Sequence, residues 1–213
     1  SAVPQEVNGP LSPVGRQLAD PRISQVDGAV VRSFDLGDLS LGSVPGASVG
    51  TQFRAPLRGL LVTPRSSKRR AELLVVSHLR YPNCGRTRFA FPCPKPPGRR
   101  FDQGMRYLGV EMAHRGYSVL IPDLAPLYVG DDLDAAYDQE AGFTATITQM
   151  LETLRLADAG LLTRYGPGLG GRIDASRIGL IGHSRSASAA RQFVRTWQQP
   201  WSRVSSVMMY GGA

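Results

Sequence analysis

The sequence has few of the side chains from which metal sites are built. Among its 213 residues are three histidines and two cysteines, and neither cysteine has a further Cys or His at metal-ligand spacing. The sequence therefore predicts no metal site and no cofactor. No apolar run approaches the about 18 residues that a membrane-spanning helix needs. We therefore predict no membrane span.

Lysine is scarce too, because 23 of the 25 basic residues are arginine. The formal net charge is +8, and residues 54–115 alone hold 14 basic and 3 acidic residues. No aromatic-interleaved RNA-binding pattern and no recognition-helix motif accompanies this excess, so we predict no nucleic-acid partner. A basic rim would attract an anionic substrate or an acidic surface, although a merely solvated surface is the commoner role. The rim comprises Arg86, Arg88, Arg99 and Arg100.

The chain is long enough to form one domain with a substantial core. It is 42% hydrophobic and 8% aromatic, which is ordinary for a globular protein. The first residues are polar and contain proline and glycine, so we assign residues 1–31 to an irregular N-terminal arm and residues 32–213 to a single domain. Residues 32–41 and 52–63 alternate between apolar and polar side chains, which predicts two antiparallel strands.

Predicted strands and helices then alternate along the chain. Apolar runs typical of buried strands occupy residues 71–78, 117–123, 177–182 and 204–210. Apolar side chains recur at helical spacing over residues 105–113, 144–165 and 187–197. Such a series implies crossover connections, and hence a parallel sheet with helices on both faces. The predicted fold class is therefore α/β.

Residues 177–186 have the pattern of a buried strand that turns sharply through Ser184 into a helix. Gly182 and the small Ser186 flank the turn, because larger side chains would clash with the tightly folded backbone around Ser184. The usual pattern is Gly-x-Ser-x-Gly, and its last position here is serine. In a chain with 24 glycines, a five-residue pattern of this kind can occur by chance. The interpretation of the turn therefore depends on the segments around it.

Those surroundings resemble the α/β-hydrolase superfamily, in particular its secreted esterases and dienelactone-hydrolase-like members. The motif Asp-x-x-Arg-Ile-Gly leads into Gly-His-Ser-Arg, here from Asp174 to Arg185, and a family-like Arg-Gly-Tyr, strand and Pro-Asp series runs from Arg115 to Asp123. The resemblance covers about residues 33–213. It implies a mostly parallel sheet flanked by helices, and this chain would be the N-terminal part of the domain, without the C-terminal strands.

The resemblance also implies a site. Ser184 would be the nucleophile of a serine hydrolase, activated by a base that removes its proton. Backbone N–H groups would stabilise the oxyanion. One donor would be Arg185, directly after the serine, and the second would be Leu79, after the strand that ends near His78. The sequence lacks the His-Gly pattern that is common at this second position in the family.

The catalytic base is missing from this pattern, because the family order is serine, acid, histidine. His78 ends a strand and is expected to be a local hydrogen-bond donor, while His183 is expected to point away from the hydroxyl of Ser184 and serve packing. His114 lies near a helix end, where a dipole role is expected. Asp123 precedes the nucleophile and is interpreted as a turn residue.

We therefore expect the acid and the histidine to come from a segment beyond residue 213, on the same or a separate chain of the protein. A sheet that ended at residues 204–210 would expose a long apolar edge, which proteins avoid. The expected segment would therefore also add strands beside those residues. Residues 1–213 alone are expected to be inactive.

Cys84 and Cys93 lie in the loop after the strand that ends at His78. Their spacing suits a disulfide, which an exported protein would allow, and this favours a secreted or extracytoplasmic location. The alternative is a pair of free thiols in a reducing compartment. A separate acidic stretch, too irregular in spacing for a calcium loop, predicts a solvated, lid-like loop before a helix. Its members are Asp131, Asp132, Asp134, Asp138 and Glu140.

Three function classes fit these features. The favoured one is a serine esterase acting through an acyl-enzyme on Ser184, with an ester substrate that could be anionic. A peptidase or amidase on the same scaffold is the second, since the turn at Ser184 does not distinguish esters from amides. The third is a noncatalytic binding protein that kept the fold, because fold does not guarantee activity. The sequence does not reveal the natural substrate.

Overall fold

The computed structural model describes residues 20–43, 52–67, 69–129 and 138–211. Seven strands of this part form one sheet: β1 (Arg22–Val26), β2 (Ala29–Ser43), β3 (Gln52–Pro64), β4 (Ala71–Ser77), β5 (Ser118–Pro122), β6 (Ile173–His183) and β7 (Arg203–Tyr210). Its helices are α1 (Phe101–Gly104), α2 (Arg106–His114), α3 (Gln139–Asp158) and α4 (Arg185–Thr196), with a short 3₁₀ helix at Ala125–Leu127.

The sheet is mixed, with the strand order β1-β2-β3-β5-β4-β6-β7. The first three strands form antiparallel hairpins, and β3 pairs antiparallel with β5. From β5 onward the neighbours β5, β4, β6 and β7 are all parallel. The α/β class and the two opening antiparallel strands are thus confirmed. The parallel half places the carboxyl ends of four strands along one edge.

Helices cover both faces of the sheet. On one face α3 and α4 bury Phe143 and Phe193 in the larger core, and on the other α2 buries Val110 and Ala113 in a smaller one. Helix α2 approaches the sheet closely at Gly109. A Cβ atom there would lie 2.8 Å from a methyl group of Val62, so glycine permits this approach.

The structure differs from the expected irregular arm over residues 1–31. Within that range, β1 pairs with the start of β2 through a two-residue turn, Asp27-Gly28. Both turn residues have positive φ, of 46° and 79°. This combination is typical of a type I′ hairpin turn, for which Asp-Gly is a strong sequence signal. The Asp-Gly turn signal outweighs the polarity of the segment, which by itself predicts irregular structure; residues 1–19 lie outside the described ranges.

Helix α3 begins and ends earlier than the predicted residues 144–165. It begins at Gln139 because the carboxylate of Asp138 accepts hydrogen bonds from the N–H groups of Glu140 and Ala141, at 3.0 and 3.1 Å. It ends before Gly160, which has φ +75°. Asp138 of the acidic stretch is therefore a helix cap, while Asp131, Asp132 and Asp134 lie outside the described residues. No helix in the described ranges is long and apolar enough to cross a membrane.

The loop after β4 is closed by the predicted disulfide. Cys84 and Cys93 are bonded, with their Cα atoms 5.4 Å apart. Asn83 closes the same loop a second time: its side-chain amide donates to the Ala90 carbonyl at 2.7 Å, and its side-chain oxygen accepts from the Ala90 N–H at 3.2 Å. The loop is therefore held in one shape beside the carboxyl edge of the sheet.

Reduction of this disulfide should lower the stability of the fold. For a loop closed over nine residues, the chain-entropy model gives about 2–3 kcal/mol in the free energy of unfolding. Intact-mass analysis with alkylation before and after reduction should show no reactive thiol in the native protein and two after reduction. Denaturant unfolding of the Cys84→Ser/Cys93→Ser variant should then measure the loss. Two freely alkylated thiols in the native protein would contradict the assignment.

Candidate active site

Ser184 lies at the sharp turn between β6 and α4, as predicted. Its backbone angles are φ +57° and ψ −116°, a conformation that non-glycine residues rarely adopt and that must be held by the surroundings. The Ser184 N–H donates to the Tyr210 carbonyl at 2.9 Å, and the Ser184 carbonyl accepts from the Ala187 N–H at 2.9 Å. Both sides of the turn are thus anchored.

Gly182 is required for this turn. A Cβ atom on Gly182 would lie 2.7 Å from the Ser186 carbonyl oxygen and 3.0 Å from the Ala187 Cα. Both contacts involve backbone atoms of the following helix, which cannot move aside without unwinding the turn. The structure therefore confirms the prediction that a larger side chain at position 182 would clash with the backbone of the turn.

The hydroxyl of Ser184 makes no hydrogen bond to the described residues. Its side chain is half-buried at the carboxyl edge of the parallel strands, where open α/β sheets bind their ligands. A serine hydroxyl in this state is accessible, yet it is a weak nucleophile until a base removes its proton.

Both ring nitrogens of His78 are engaged by groups other than Ser184. Its ring is buried, and Nδ1–H donates to the Leu79 carbonyl at 2.8 Å while Nε2 accepts from the Leu124 N–H at 2.8 Å. Burial lowers the pKa of His78, against the opposing effects of the bond to Leu79 and the charges of Asp123 and Asp102. A neutral imidazole, one nitrogen donating and the other accepting, thus ties the loop after β4 to the loop after β5.

The other two histidines also have structural partners. The His183 ring stacks on Tyr210 with centroids 4.4 Å apart and planes inclined by 14°, which agrees with the expected packing role. His114 is the last residue of α2; its Nε2 contacts the Asp27 carbonyl oxygen, and its Nδ1 lies 4.0 Å from the Glu111 carboxylate. All three histidines of the chain are described, and none contacts the Ser184 hydroxyl.

The two predicted oxyanion donors follow two paired strands, Leu79 after β4 and Arg185 after β6. In the parallel pairing of β4 with β6, Ser77 lies opposite Gly182. Leu79 is two residues after Ser77, and Ser184 is two residues after Gly182. The Leu79 N–H donates to no atom of the described residues. Arg185 is the first residue of α4. The roles of both groups remain predictions.

Asp123 is more than the predicted turn residue. Its buried carboxylate accepts from the Ala125 N–H at 3.3 Å, as a turn residue would, but it also pairs with Arg58 at 2.8 Å and Arg100 at 3.3 Å. Arg100 in turn donates two hydrogen bonds to the buried Asp102, at 2.9 and 2.8 Å. Sequence reasoning missed this network because its members come from distant segments, and it placed Arg100 on a solvated rim.

A cavity of about 270 Å³ lies beside this network, between the loops that follow β4 and β5. Its walls are largely apolar and include Phe91, Pro92, Pro97 and Pro126. Arg99 lines it with an exposed side chain. Of the predicted basic rim, Arg86 and Arg88 are exposed as expected, whereas Arg100 is held by the two carboxylates.

Ser186 is the second feature that sequence reasoning undervalued. It was interpreted only as a small residue that the turn tolerates. The structure buries it completely and places its Oγ within hydrogen-bond distance of the His78 carbonyl, at 2.5 Å, and of the Tyr128 hydroxyl, at 2.7 Å. No sequence spacing signals these partners, because His78 and Tyr128 follow two different strands.

Comparison with solved structures identifies the architecture. A glucuronoyl esterase from Solibacter usitatus superposes with a TM-score of 0.50 at 14% identity, over 87% of this chain and 50% of its own. The chain has the α/β-hydrolase fold. A cold-adapted esterase from an Arctic intertidal metagenomic library (TM-score 0.48, 16% identity, 91% of this chain and 65% of its own) and a bacterial heroin esterase (0.42, 17%, 87% and 45%) are also similar.

These identities are low enough that the likeness to the three esterases concerns the fold alone. No protein-family model and no curated protein sequence matches the chain. The chain spans between 45% and 65% of the length of the three solved structures. What the chain does must therefore be argued from its own residues.

Acid should weaken the fold through His78. Because the folded state lowers the pKa of His78 below its ordinary value of 6.5, the unfolded chain binds more protons at this residue between pH 6.5 and the folded pKa. The free energy of unfolding should therefore fall as the pH decreases through that window and be insensitive to His78 above it. Urea unfolding on either side of pH 6.5 should show this dependence, and His78→Gln should reduce it. Identical pH profiles for both proteins would contradict the prediction.

Proposed function

We propose that this α/β-hydrolase cleaves carboxylic esters through an acyl-enzyme on Ser184. The observation that carries the proposal is the strained backbone of Ser184 at the carboxyl edge of the parallel strands, with a hydroxyl that bonds to no described residue. Strain of this kind persists where the surroundings impose it, and it clusters at active sites. The esterases with the same fold support ester cleavage in general.

The reaction follows from the groups around Ser184. A base takes the hydroxyl proton as Oγ attacks the ester carbonyl carbon, and the carbonyl oxygen becomes an oxyanion. The N–H groups of Leu79 and Arg185 donate to that oxyanion. When the carbon–oxygen bond breaks, the leaving alkoxide receives the proton from the base. Water, deprotonated by the same base, then attacks the acyl-enzyme carbonyl. The bond to Ser184 Oγ breaks, and the base returns the proton to Oγ, which releases the acid and restores Ser184.

We propose that the base is a histidine outside residues 1–213, with its acid partner on the same segment. The three histidines of the chain are held by other groups, as the bonds of His78 and the stacking of His183 illustrate. Strand β7 offers a place for such a segment, because Val207, Met208, Met209 and Tyr210 are exposed, Met208 by 62%. Strands added beside β7 would cover these side chains.

The remaining features suit an exported esterase. The Cys84–Cys93 disulfide is compatible with a secreted or extracytoplasmic location. The exposed Arg99, in the loop after β4, would favour an anionic substrate.

In a polypeptide that also supplies the acid and the histidine, Ser184→Ala should abolish turnover and covalent labelling while the protein remains folded. The change removes one oxygen that makes no hydrogen bond to the described residues, so the stability should barely change, whereas loss of a nucleophile costs on the order of 10⁴-fold or more in kcat. A fluorophosphonate probe and an activated short-chain ester measure the two effects. Ser188→Ala, one turn further along α4, is the matched control and should keep both.

Retained turnover in Ser184→Ala would refute the nucleophile. Labelling without ester turnover, but with amide turnover, would indicate a peptidase or amidase. If the wild-type polypeptide that also contains the acid and the histidine folds but shows neither labelling nor turnover, the protein is a binding protein.

Residues 1–213 alone should lack turnover, and a longer polypeptide that supplies an acid and a histidine should have it. Without an imidazole at hydrogen-bond distance, Ser184 remains protonated near neutral pH. Hydrolysis of an activated ester by both polypeptides, each beside its Ser184→Ala variant, measures the difference. Full Ser184-dependent turnover by residues 1–213 alone would mean that a histidine of this chain serves as base.

A further inference from the structure

A chain of three buried polar groups links the helix after Ser184 to the loop after β4. The Tyr128 hydroxyl lies 2.7 Å from Ser186 Oγ, and Ser186 Oγ lies 2.5 Å from the His78 carbonyl oxygen. The exposed fractions of Tyr128, Ser186 and His78 are 1%, 0% and 1%. Leaving any one of these groups unpaired at such burial would be costly, so the three are bound to one arrangement.

The direction of the hydrogen bonds follows from their chemistry. The His78 carbonyl can only accept, so the Ser186 hydroxyl donates to it. The Tyr128 hydroxyl must then donate to Ser186 Oγ, which requires a neutral phenol. Burial raises the pKa of Tyr128, against the opposing effect of the bond to Ser186. The chain therefore runs in one direction, from the phenol through the serine to the carbonyl.

The last acceptor matters because of the peptide bond to which it belongs. The His78 carbonyl and the Leu79 N–H are parts of the same planar trans peptide, in which C=O and N–H point in opposite directions. Ser186 therefore holds the Leu79 N–H by holding the other side of this plane. A hydrogen bond to the carbonyl also polarises the peptide and strengthens its N–H as a donor.

We propose that Ser186 and Tyr128 are positioning residues, which aim the Leu79 N–H at the oxyanion that forms on Ser184. The proposal rests on the proposed function. Ser186 stands two residues after Ser184, so its hydroxyl sets the position of the donor relative to the nucleophile. Glycine, the usual residue at this place in the motif, has no hydroxyl to do so. The serine at position 186, where the motif usually has glycine, thus has a positioning role in this protein.

The chain contains a matched control for Tyr128. Tyr165 is equally buried, and its hydroxyl lies 2.6 Å from the Thr153 hydroxyl and donates to the Met150 carbonyl at 3.3 Å. Tyr165→Phe therefore removes the same oxygen from a similar hydrogen-bonded setting that contains no residue of the site. Any general effect of deleting a buried phenol should appear in both tyrosine variants.

The test compares Tyr128→Phe, Ser186→Ala and Tyr165→Phe in the full-length protein that contains these residues. For an activated ester, we expect Tyr128→Phe and Ser186→Ala to lower kcat by about ten- to a hundredfold, less than the loss of an oxyanion donor itself, with KM little changed. Tyr165→Phe should keep kcat. The oxo ester and its thionoester analogue, whose sulfur accepts hydrogen bonds weakly, give a second readout. Their rate ratio should fall in Tyr128→Phe and Ser186→Ala only.

Equal kcat in Tyr128→Phe and wild type, equal losses in Tyr128→Phe and Tyr165→Phe, or an unchanged rate ratio would overturn the positioning role. Tyr128→Phe decides the matter if Ser186→Ala does not fold, because it keeps the Ser186 bond to His78 and removes only the outer donor. Ser184→Ala distinguishes a failure of the proposed function from a failure of the positioning role. Wild-type turnover that survives Ser184→Ala overturns the proposed function and this inference together.

Discussion

The parallel pairing of β4 with β5 and β6 is the constraint on which the candidate site depends. In register, Ser77 lies opposite Gly182 and Leu73 opposite Ser118, so the carboxyl ends of three strands meet at one edge. Ser184, Leu79 and Asp123 each follow one of these strands, so the register places all three at this edge. Parallel strands need crossover connections. For this reason helices cover both faces of the sheet, and the larger core lies between the sheet and the helices α3 and α4.

Above that edge the protein buries polar groups that would be costly without partners. His78 bonds both of its ring nitrogens, and Asp102 and Asp123 share Arg100. Burial raises the pKa of Asp102, with the bond from Arg100 opposing it, so the arginine is needed to keep a carboxylate there. Removing one partner of such a buried pair is strongly destabilising, whereas the pair as a whole contributes little net stability. These contacts serve mainly to fix where the loops after β4 and β5 lie.

Local features of the fold could be predicted from the sequence where the residues that cause them lie within one short segment. The turn at Ser184 requires Gly182 because of contacts within five residues, and alternation along β2 and β3 predicts two strands, which pair antiparallel. The β1–β2 hairpin had an equally local signal in Asp27-Gly28, which was present and overlooked. The early start of α3 likewise lay within reach, since Asp138 caps it.

The sequence by itself determined the order of strands and helices, the turn at Ser184 and a disulfide spacing, because each depends on backbone preferences of neighbouring residues. Only the tertiary structure decided what His78, Asp123 and Ser186 do. Their partners stand 46, 65 and 108 residues away along the chain, and a hydrogen bond over such separations leaves no periodicity or motif. Which buried group finds which partner depends on strand order and register, and these are properties of the folded sheet as a whole.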